Sequence, residues 1–297
     1  MRNRNSKSPF PFYSIGNFIN QPNNPTEFEI VEFGKMEEPE VDEIHKHSFY
    51  EILWTVEGKS KQTIDDKVYE VSPNTLFFIS PNQVHQFEEW KTLKGGTILF
   101  TEHFFLLNQY NKEKLFELSF LDNFYSNPCI QFTKKEFASI RHTIDLMLAE
   151  HKRKEKSQSI LQSLLHILLA QAQRTVKTQK TISKKYLILF KEFTHLLEKH
   201  FVENKTANFF AKQLDITAHH LNLISKTVTG KTATEVIRAR SILEAKRLLA
   251  FTNLSIIEIA RYLNYFDSSY FSKLFRAETN RTPVAFRKEM SEKYRGK

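Results

Sequence analysis

Cysteine is almost missing: Cys129 stands alone in 297 residues, so the chain can close no internal disulfide and offers no Cys-x-x-Cys pair for metal or redox chemistry. Glycine is scarce too. Only seven occur, none forming a phosphate-cradling Gly-rich loop, and no Gly-x-Ser-x-Gly elbow is present. Long apolar runs are missing: the most apolar stretch, 160–170, is interrupted by Gln162, Ser163 and His166 and is too short to cross a bilayer. The basic start MRNRNSKSPF is not followed by an apolar segment of signal-peptide length. These gaps predict a cytoplasmic protein without a membrane span, a catalytic centre or a cofactor. Cys129, between Pro128 and Ile130, reads as an inert small apolar residue.

What is present is ample core material, 40% apolar and 13% aromatic, and a length that predicts two domains. Charge is unevenly shared. Residues 1–183 carry 22 basic and 23 acidic side chains, and residues 184–297 carry 21 and 11, so the whole net charge of +9 resides in the last third. Residues 27–122 carry 9 basic and 19 acidic groups. A basic module behind an acidic front half points to double-stranded DNA as partner, contacted from the rear, because Lys and Arg on phosphates release condensed counterions.

Between Phe28 and Phe100, β-branched and aromatic runs (FYEILWTV, VYEV, TLFFIS, GTILF) alternate with Gly58, Asp65-Asp66, Pro73-Asn74, Pro81-Asn82 and Gly95-Gly96. This spacing predicts an antiparallel sandwich or small barrel. From Lys134 the period changes. Leu161, Leu164, Leu165, Leu168, Leu169 and Ala172 form one helical stripe whose cover is the preceding helix (Phe137, Ile140, Ile144, Met147, Leu148), the strands, or a second copy of the chain. Arg174 to Lys185, rich in charge and hydroxyls, reads as a linker.

The last third contains an internal repeat. Thr217, Leu221, Ile224, Lys226, Thr229, Thr232 and Val236 recur fifty residues later as Asp267, Phe271, Leu274, Arg276, Thr279, Thr282 and Phe286, while Ala211 and Ala260 match at forty-nine, so one copy has a turn longer by a residue. Each copy reads helix, turn, helix: a small Ala permits close approach, Thr217 or Asp267 caps the second helix, and apolar residues four and seven positions on pin it. The opposite faces carry Ala218, His219, Asn222, Leu223 and Lys226, then Ser268, Ser269, Ser272, Lys273 and Arg276. Such residues suit base edges and phosphates in a major groove. A helical solenoid is the alternative, but two copies joined by a long helix, Thr234 to Ala250, make a poor one.

SIIEIARYLNYFDSSYFSKLFRAETNRTPVAFR, Ser255 to Arg287, resembles the C-terminal signature of the AraC family of bacterial transcription regulators, with Asn264 and Asn280 where the family has Gly and Leu223 where many members have Arg. Asn tolerates left-handed backbone, so both turns stay feasible. HKHSFYEILWTVEG (His45 to Gly58) and SPNQVH (Ser80 to His85) resemble the family's cupin-type sensing domain. The resemblance implies an α+β chain: an arm at 1–27, a cupin-like β-barrel or jelly roll at 28–133, a helical dimerisation segment at 134–173, a linker at 174–185 and an all-α domain at 186–297 with two helix-turn-helix units. Phe10, Phe12, Tyr13 and Phe18 place the arm over the barrel mouth or leave it a tail.

Metal-binding cupins use His-x-His-x3-Glu with a later His, the spacing of His45, His47, Glu51 and His85; in an extended strand the first three share a face. The resemblance to regulators favours an organic effector hydrogen-bonded by these four over a metal, with Phe49, Leu53 and Phe87 lining the barrel or filling its core. The expected function is a ligand-responsive DNA-binding regulator, with activation the family's commoner mode. It would act as a homodimer at the nucleoid, with RNA polymerase a further candidate partner. A metal cupin enzyme fused to a DNA-binding module is the alternative from another class.

Overall fold

A computed structural model describes residues 9–19, 21–23, 25–35, 44–88, 92–106, 118–121, 128–175 and 183–295. The chain forms two compact units, 1–179 and 180–297. Residues 1–8 of the expected arm and 176–182 of the expected linker lie outside the described residues.

In the first unit, strands β2 (Phe28–Glu32), β4 (Tyr50–Glu57), β7 (Thr75–Ile79), β9 (Lys94–Phe100) and β10 (Cys129–Gln131) pair antiparallel in the order β10-β7-β4-β9-β2. A second antiparallel sheet orders β6-β5-β8, from β5 (Ser60–Ile64), β6 (Lys67–Val71) and β8 (His85–Glu88). Among the described residues no hydrogen bonds close the two sheets into a ring, so the fold is the sandwich form of the expected architecture. Most expected breaks are real turns with left-handed backbone at Gly58, Asp65, Asn74 and Asn82. Gly95-Gly96 is the exception. It lies inside β9 opposite Thr55 and Trp54, where a Cβ would overlap the Trp54 carbonyl or its indole ring. Close approach to Trp54, and not a turn, is what glycine serves there.

Alternation along β4 divides two cores. Leu53 joins Phe77, Ile79, Ile64 and Val71 between the sheets. Ile52 and Trp54 face the other way with Leu76, Phe78, Ile98 and Phe100, under helices α3 (Lys134–His151) and α4 (Gln158–Thr175), numbered after two short helices, α1 (Ile15–Phe18) and α2 (Glu102–Leu106). Phe137, Ile140, Ile144 and Met147 of α3 and Leu161, Leu165, Leu168, Leu169 and Ala172 of α4 complete this layer, each large apolar side chain stabilising by roughly 1.5–3 kcal/mol on burial. The leucine stripe is therefore covered within the chain. Leu146, Ile160 and Ile167 remain exposed on the same two helices.

The arm lies on the sandwich over its described part. β1 (Phe12–Tyr13) pairs parallel with β3 (Lys46–His47), and Phe10, Ile15 and Phe18 are buried. Ser14 and Asn17 form a capping box that sets α1.

The second unit is all helical: α5 (Lys184–His200), α6 (Ala207–Gln213), α7 (Ala218–Thr229), α8 (Ala233–Phe251), α9 (Ile256–Tyr262), α10 (Ser268–Thr279) and α11 (Pro283–Arg295). Helix α8 joins the repeats and carries a buried charge network. Arg240 makes a two-point ion pair with Glu198 of α5 (2.7 and 3.0 Å), and Glu244 Oε2 takes both Arg240 Nη1 (3.0 Å) and Arg247 Nη1 (2.9 Å). Burial works against the charge of Arg240, but Glu198 and Glu244 outweigh it and hold its pKa above the ordinary value. No helix among the described residues is long and apolar enough to cross a membrane.

Candidate nucleic-acid interface and ligand site

The two repeats fold alike, down to their turns. Ile216 N donates to Ala211 O at 3.0 Å and Tyr265 N to Ala260 O at 2.8 Å, and Asp215 and Asn264 just before them take φ of 53° and 59°. The extra residue of the second copy falls after this point and is Phe266, fully exposed beside the cap. Thr217 Oγ1 accepts His220 N (3.1 Å) and Asp267 Oδ1 accepts Ser269 N (2.7 Å), satisfying amides that open α7 and α10. Ala211 and Ala260 are buried, as are Leu221, Ile224 and Phe271; in the second copy Phe275 is buried further than Leu274. Both second helices end on left-handed residues, Gly230 at φ 78° and Asn280 at φ 58°. Asn does at 264 and 280 what the turns require.

Of the residues expected to meet DNA, His219 and Lys226 on α7 and Ser269, Lys273 and Arg276 on α10 are exposed. Lys226, Lys273 and Arg276 make no ion pair among the described residues. Ser268 and Ser272 are half-buried, and the Ser272 hydroxyl donates to Ser268 O at 2.8 Å along its own helix. Asn222 differs from the rest. Its Oδ1 accepts the backbone N–H of Ala233 at 3.0 Å, so one end of its amide fastens α7 to the start of α8.

In the first unit His45, His47, Glu51 and His85 are all buried and converge. The two motifs meet through a backbone bridge, His45 N to His85 O (3.2 Å) and His85 N to His45 O (3.1 Å). The expected continuous strand is broken: β3 ends at His47, Ser48 and Phe49 bend, and β4 starts at Tyr50. Even so, His47 Nε2 and His85 Nε2 each stand 3.4 Å from Glu51 Oε2. Phe49 stacks on the His47 ring, with centroids 4.0 Å apart.

Several groups around this cluster were not legible beforehand. Thr97 on β9 donates to Glu51 Oε1 at 2.8 Å, and His85 Nδ1 donates to Gln83 O at 3.2 Å. Gln62, on the face of β5 that includes Ile64, is wholly buried with neither amide atom hydrogen-bonded among the described residues. Tyr13 and Phe18 of the arm set their rings 5.5 and 6.2 Å from His45. Strand alternation is the signal that could have found Thr97 and Gln62 as inward positions; their neighbours depend on sheet register. Burial is the largest influence on Glu51 and acts to raise its pKa, but the two imidazoles outweigh it and hold the carboxyl far below its ordinary range. Burial pushes the His47 imidazole down from its ordinary value, against the opposing pull of Glu51. Burial likewise pushes the Cys129 thiol up to about 11, in keeping with an inert residue.

Each unit resembles a known protein domain. Residues 37–101 match the model of an AraC-like ligand binding domain, and residues 210–289 match a helix-turn-helix domain. The HTH-type transcriptional regulator YfiF of Bacillus subtilis (strain 168) is 26% identical over 254 residues, spanning 82% of this chain and 78% of YfiF. The HTH-type transcriptional activator RhaR of Enterobacter sp. (strain 638) is 23% identical over 252 residues, 82% of this chain and 86% of RhaR. A solved structure of ToxT from Vibrio cholerae is 14% identical, with a TM-score of 0.40, over 88% of this chain and 98% of ToxT. With an AraC-like ligand binding domain that holds a buried polar cluster and a helix-turn-helix domain with two capped units, the chain has the make-up of an AraC-type, ligand-responsive, DNA-binding transcription regulator.

Proposed function

We propose that this regulator activates transcription, working as a homodimer at the nucleoid, by binding rather than by catalysis. The observation that carries the reading is the pair of matching helix-turn-helix units, each presenting exposed basic side chains, in the unit that holds the excess positive charge. On this reading α7 and α10, joined by α8, enter successive major-groove segments about one turn, ~34 Å, apart. Lys226, Lys273 and Arg276 hold phosphates. His219, Ser268, Ser269 and Ser272 face bases, and Asn222 adds the amide end that α8 does not use. The activator names of RhaR and RhaS relatives support the sign of control, and RNA polymerase is the partner an activator engages.

The effector binds at His45, His47, Glu51 and His85 and shifts the population between two arrangements of arm, sandwich and DNA-binding unit. With the leucine stripe covered inside the chain, the exposed Leu146, Ile160 and Ile167 are the apolar positions on α3 and α4 that remain for a second copy. Footprinting the full chain on the promoter region beside its own gene tests the reading. Protection approaching two helical turns per subunit, weakening steeply with salt, is expected; no protection at low salt would overturn it. In the same assay Glu51→Ala should abolish effector response and spare DNA affinity.

A further inference from the structure

The spacing inside the buried cluster says more than that it is polar. His85 Nδ1 donates to the Gln83 carbonyl at 3.2 Å, and a carbonyl can only accept, so in the neutral ring the Nε2 lone pair is the end turned toward Glu51. A lone pair facing a carboxylate oxygen at 3.4 Å is repulsive unless a proton or a metal ion lies between them, and 3.4 Å is long for the first. His47 Nε2 approaches the same oxygen, also at 3.4 Å, and makes no hydrogen bond of good geometry. Good N–H···O bonds lie near 2.7–3.2 Å. By contrast, two donors each ~2.1 Å from one tetrahedral ion stand ~3.4 Å apart. The donor atoms of His47, Glu51 and His85 all lie within 4.8 Å of one another, and all three residues are buried.

Outer contacts complete the pattern. Thr97 holds the other oxygen of Glu51 at 2.8 Å and Gln83 O fixes the His85 tautomer, the kind of orientation that ligating carboxylates and imidazoles receive. Phe49 packs flat on the His47 ring and limits its rotation.

We propose that His47, Glu51 and His85 bind a divalent first-row transition-metal ion, and that this ion is the ligand to which the first unit responds. Two imidazoles and one carboxylate are borderline donors, which suit zinc, iron(II) or manganese(II) and disfavour calcium or magnesium. The inference rests on the effector-site reading above and replaces a hydrogen-bonded organic effector with a coordinated ion.

The test uses the full chain, stripped with a chelator and dialysed, then titrated with Zn²⁺, Mn²⁺ and, anaerobically, Fe²⁺. One ion per chain should survive gel filtration, and Co²⁺ in its place should show the strong visible bands of a low-symmetry N/O site. Glu51→Gln and His85→Ala should each weaken uptake at least ~100-fold, and Thr97→Val, which touches no ion, about tenfold. Thermal melting of the stripped variants checks that they remain folded. Failure of every ion to bind stoichiometrically, or equal retention by Glu51→Gln and His85→Ala, overturns the metal site. If no ion binds yet Glu51→Gln still uncouples promoter control, the metal assignment falls and the effector site stands. If one ion binds at these residues but Glu51→Gln leaves promoter control unchanged, the coordination is upheld and its role as the signal is overturned.

Discussion

The Asn222 side chain accepts the backbone N–H of Ala233 at 3.0 Å, tying the first recognition helix to the start of the helix that joins the two repeats. Beside it, Thr232 and Glu235 form a capping box on the same helix end, so Asn222 satisfies a further amide there. Asn222→Ala should therefore cost ~0.5–2 kcal/mol of stability in the second unit. Through the lost amide end it should also alter base preference. Denaturation and a binding screen over variant sites measure both; altered base preference without loss of stability would contradict the cap as its main role.

The exposed cations should behave otherwise. Lys226→Ala, Lys273→Ala and Arg276→Ala are each expected to weaken binding to every sequence and to lower the salt slope by about 0.9 for each phosphate no longer neutralised. Ser269→Ala and His219→Ala should change base preference and leave that slope in place. Binding isotherms of the full chain at several salt concentrations separate the two groups.

Glu244 accepts from two buried arginines at once, so removing it strands positive charge inside the second unit. Its loss takes from Arg240 and Arg247 the carboxylate oxygen that their Nη1 atoms meet at 3.0 and 2.9 Å. Glu244→Ala should destabilise this unit by ~3–5 kcal/mol. The loss should appear in the denaturant transition of the second unit and leave that of the first in place.

Acid should loosen the same unit through its helix starts. Glu235 and Glu258 accept the Thr232 and Ser255 amides at 2.6 and 2.7 Å, and those hydrogen bonds hold both carboxyls below their ordinary value. A carboxyl whose folded pKa is depressed contributes stability above its unfolded pKa, about 4.3 for Glu, and loses that contribution as pH falls through the folded value. Melting temperature should therefore drop below about pH 4.5. Glu235→Gln and Glu258→Gln should flatten that drop; an unchanged acid limb in both variants would contradict this account.

How much of this could be read beforehand depended on the distance over which each feature is decided. Thr217 and Asp267 as caps, Ala211 and Ala260 as points of close approach, and the four-to-seven spacing of Leu221 and Ile224 follow from helix periodicity and were legible. Asn222 has the composition of a base reader and sits on the expected face; its engagement by Ala233, eleven residues on, is set by how the chain turns between α7 and α8. Thr97 lies 46 residues from Glu51, and only the β4–β9 register brings them together. Gly95-Gly96 looked like a turn because glycine is commoner there, whereas the reason for it is the close approach of the Trp54 carbonyl and ring and of the Val31 carbonyl on the neighbouring strands. Arg240, Glu244 and Arg247 show a helical spacing that charges on a solvated face also show, and burial depends on what α5 places against them.

The helix ends give a test free of packing effects. Gly230 and Asn280 occupy equivalent left-handed positions fifty residues apart, and no atom lies within 4 Å of a Cβ built on Gly230. Any cost of substitution there is conformational. Left-handed backbone costs an ordinary L residue roughly 1–2 kcal/mol, least for Asn, whose short side chain bonds locally. The expected order of stability at 230 is then Gly, Asn, Ala, Val. At 280, Asn280→Gly should be neutral or slightly stabilising, while Asn280→Val should lose ~1–2 kcal/mol. Equilibrium denaturation of the five variants against the parent chain measures both series. If Gly230→Val and Asn280→Val were as stable as the parent, the left-handed caps would not be what ends these two recognition helices.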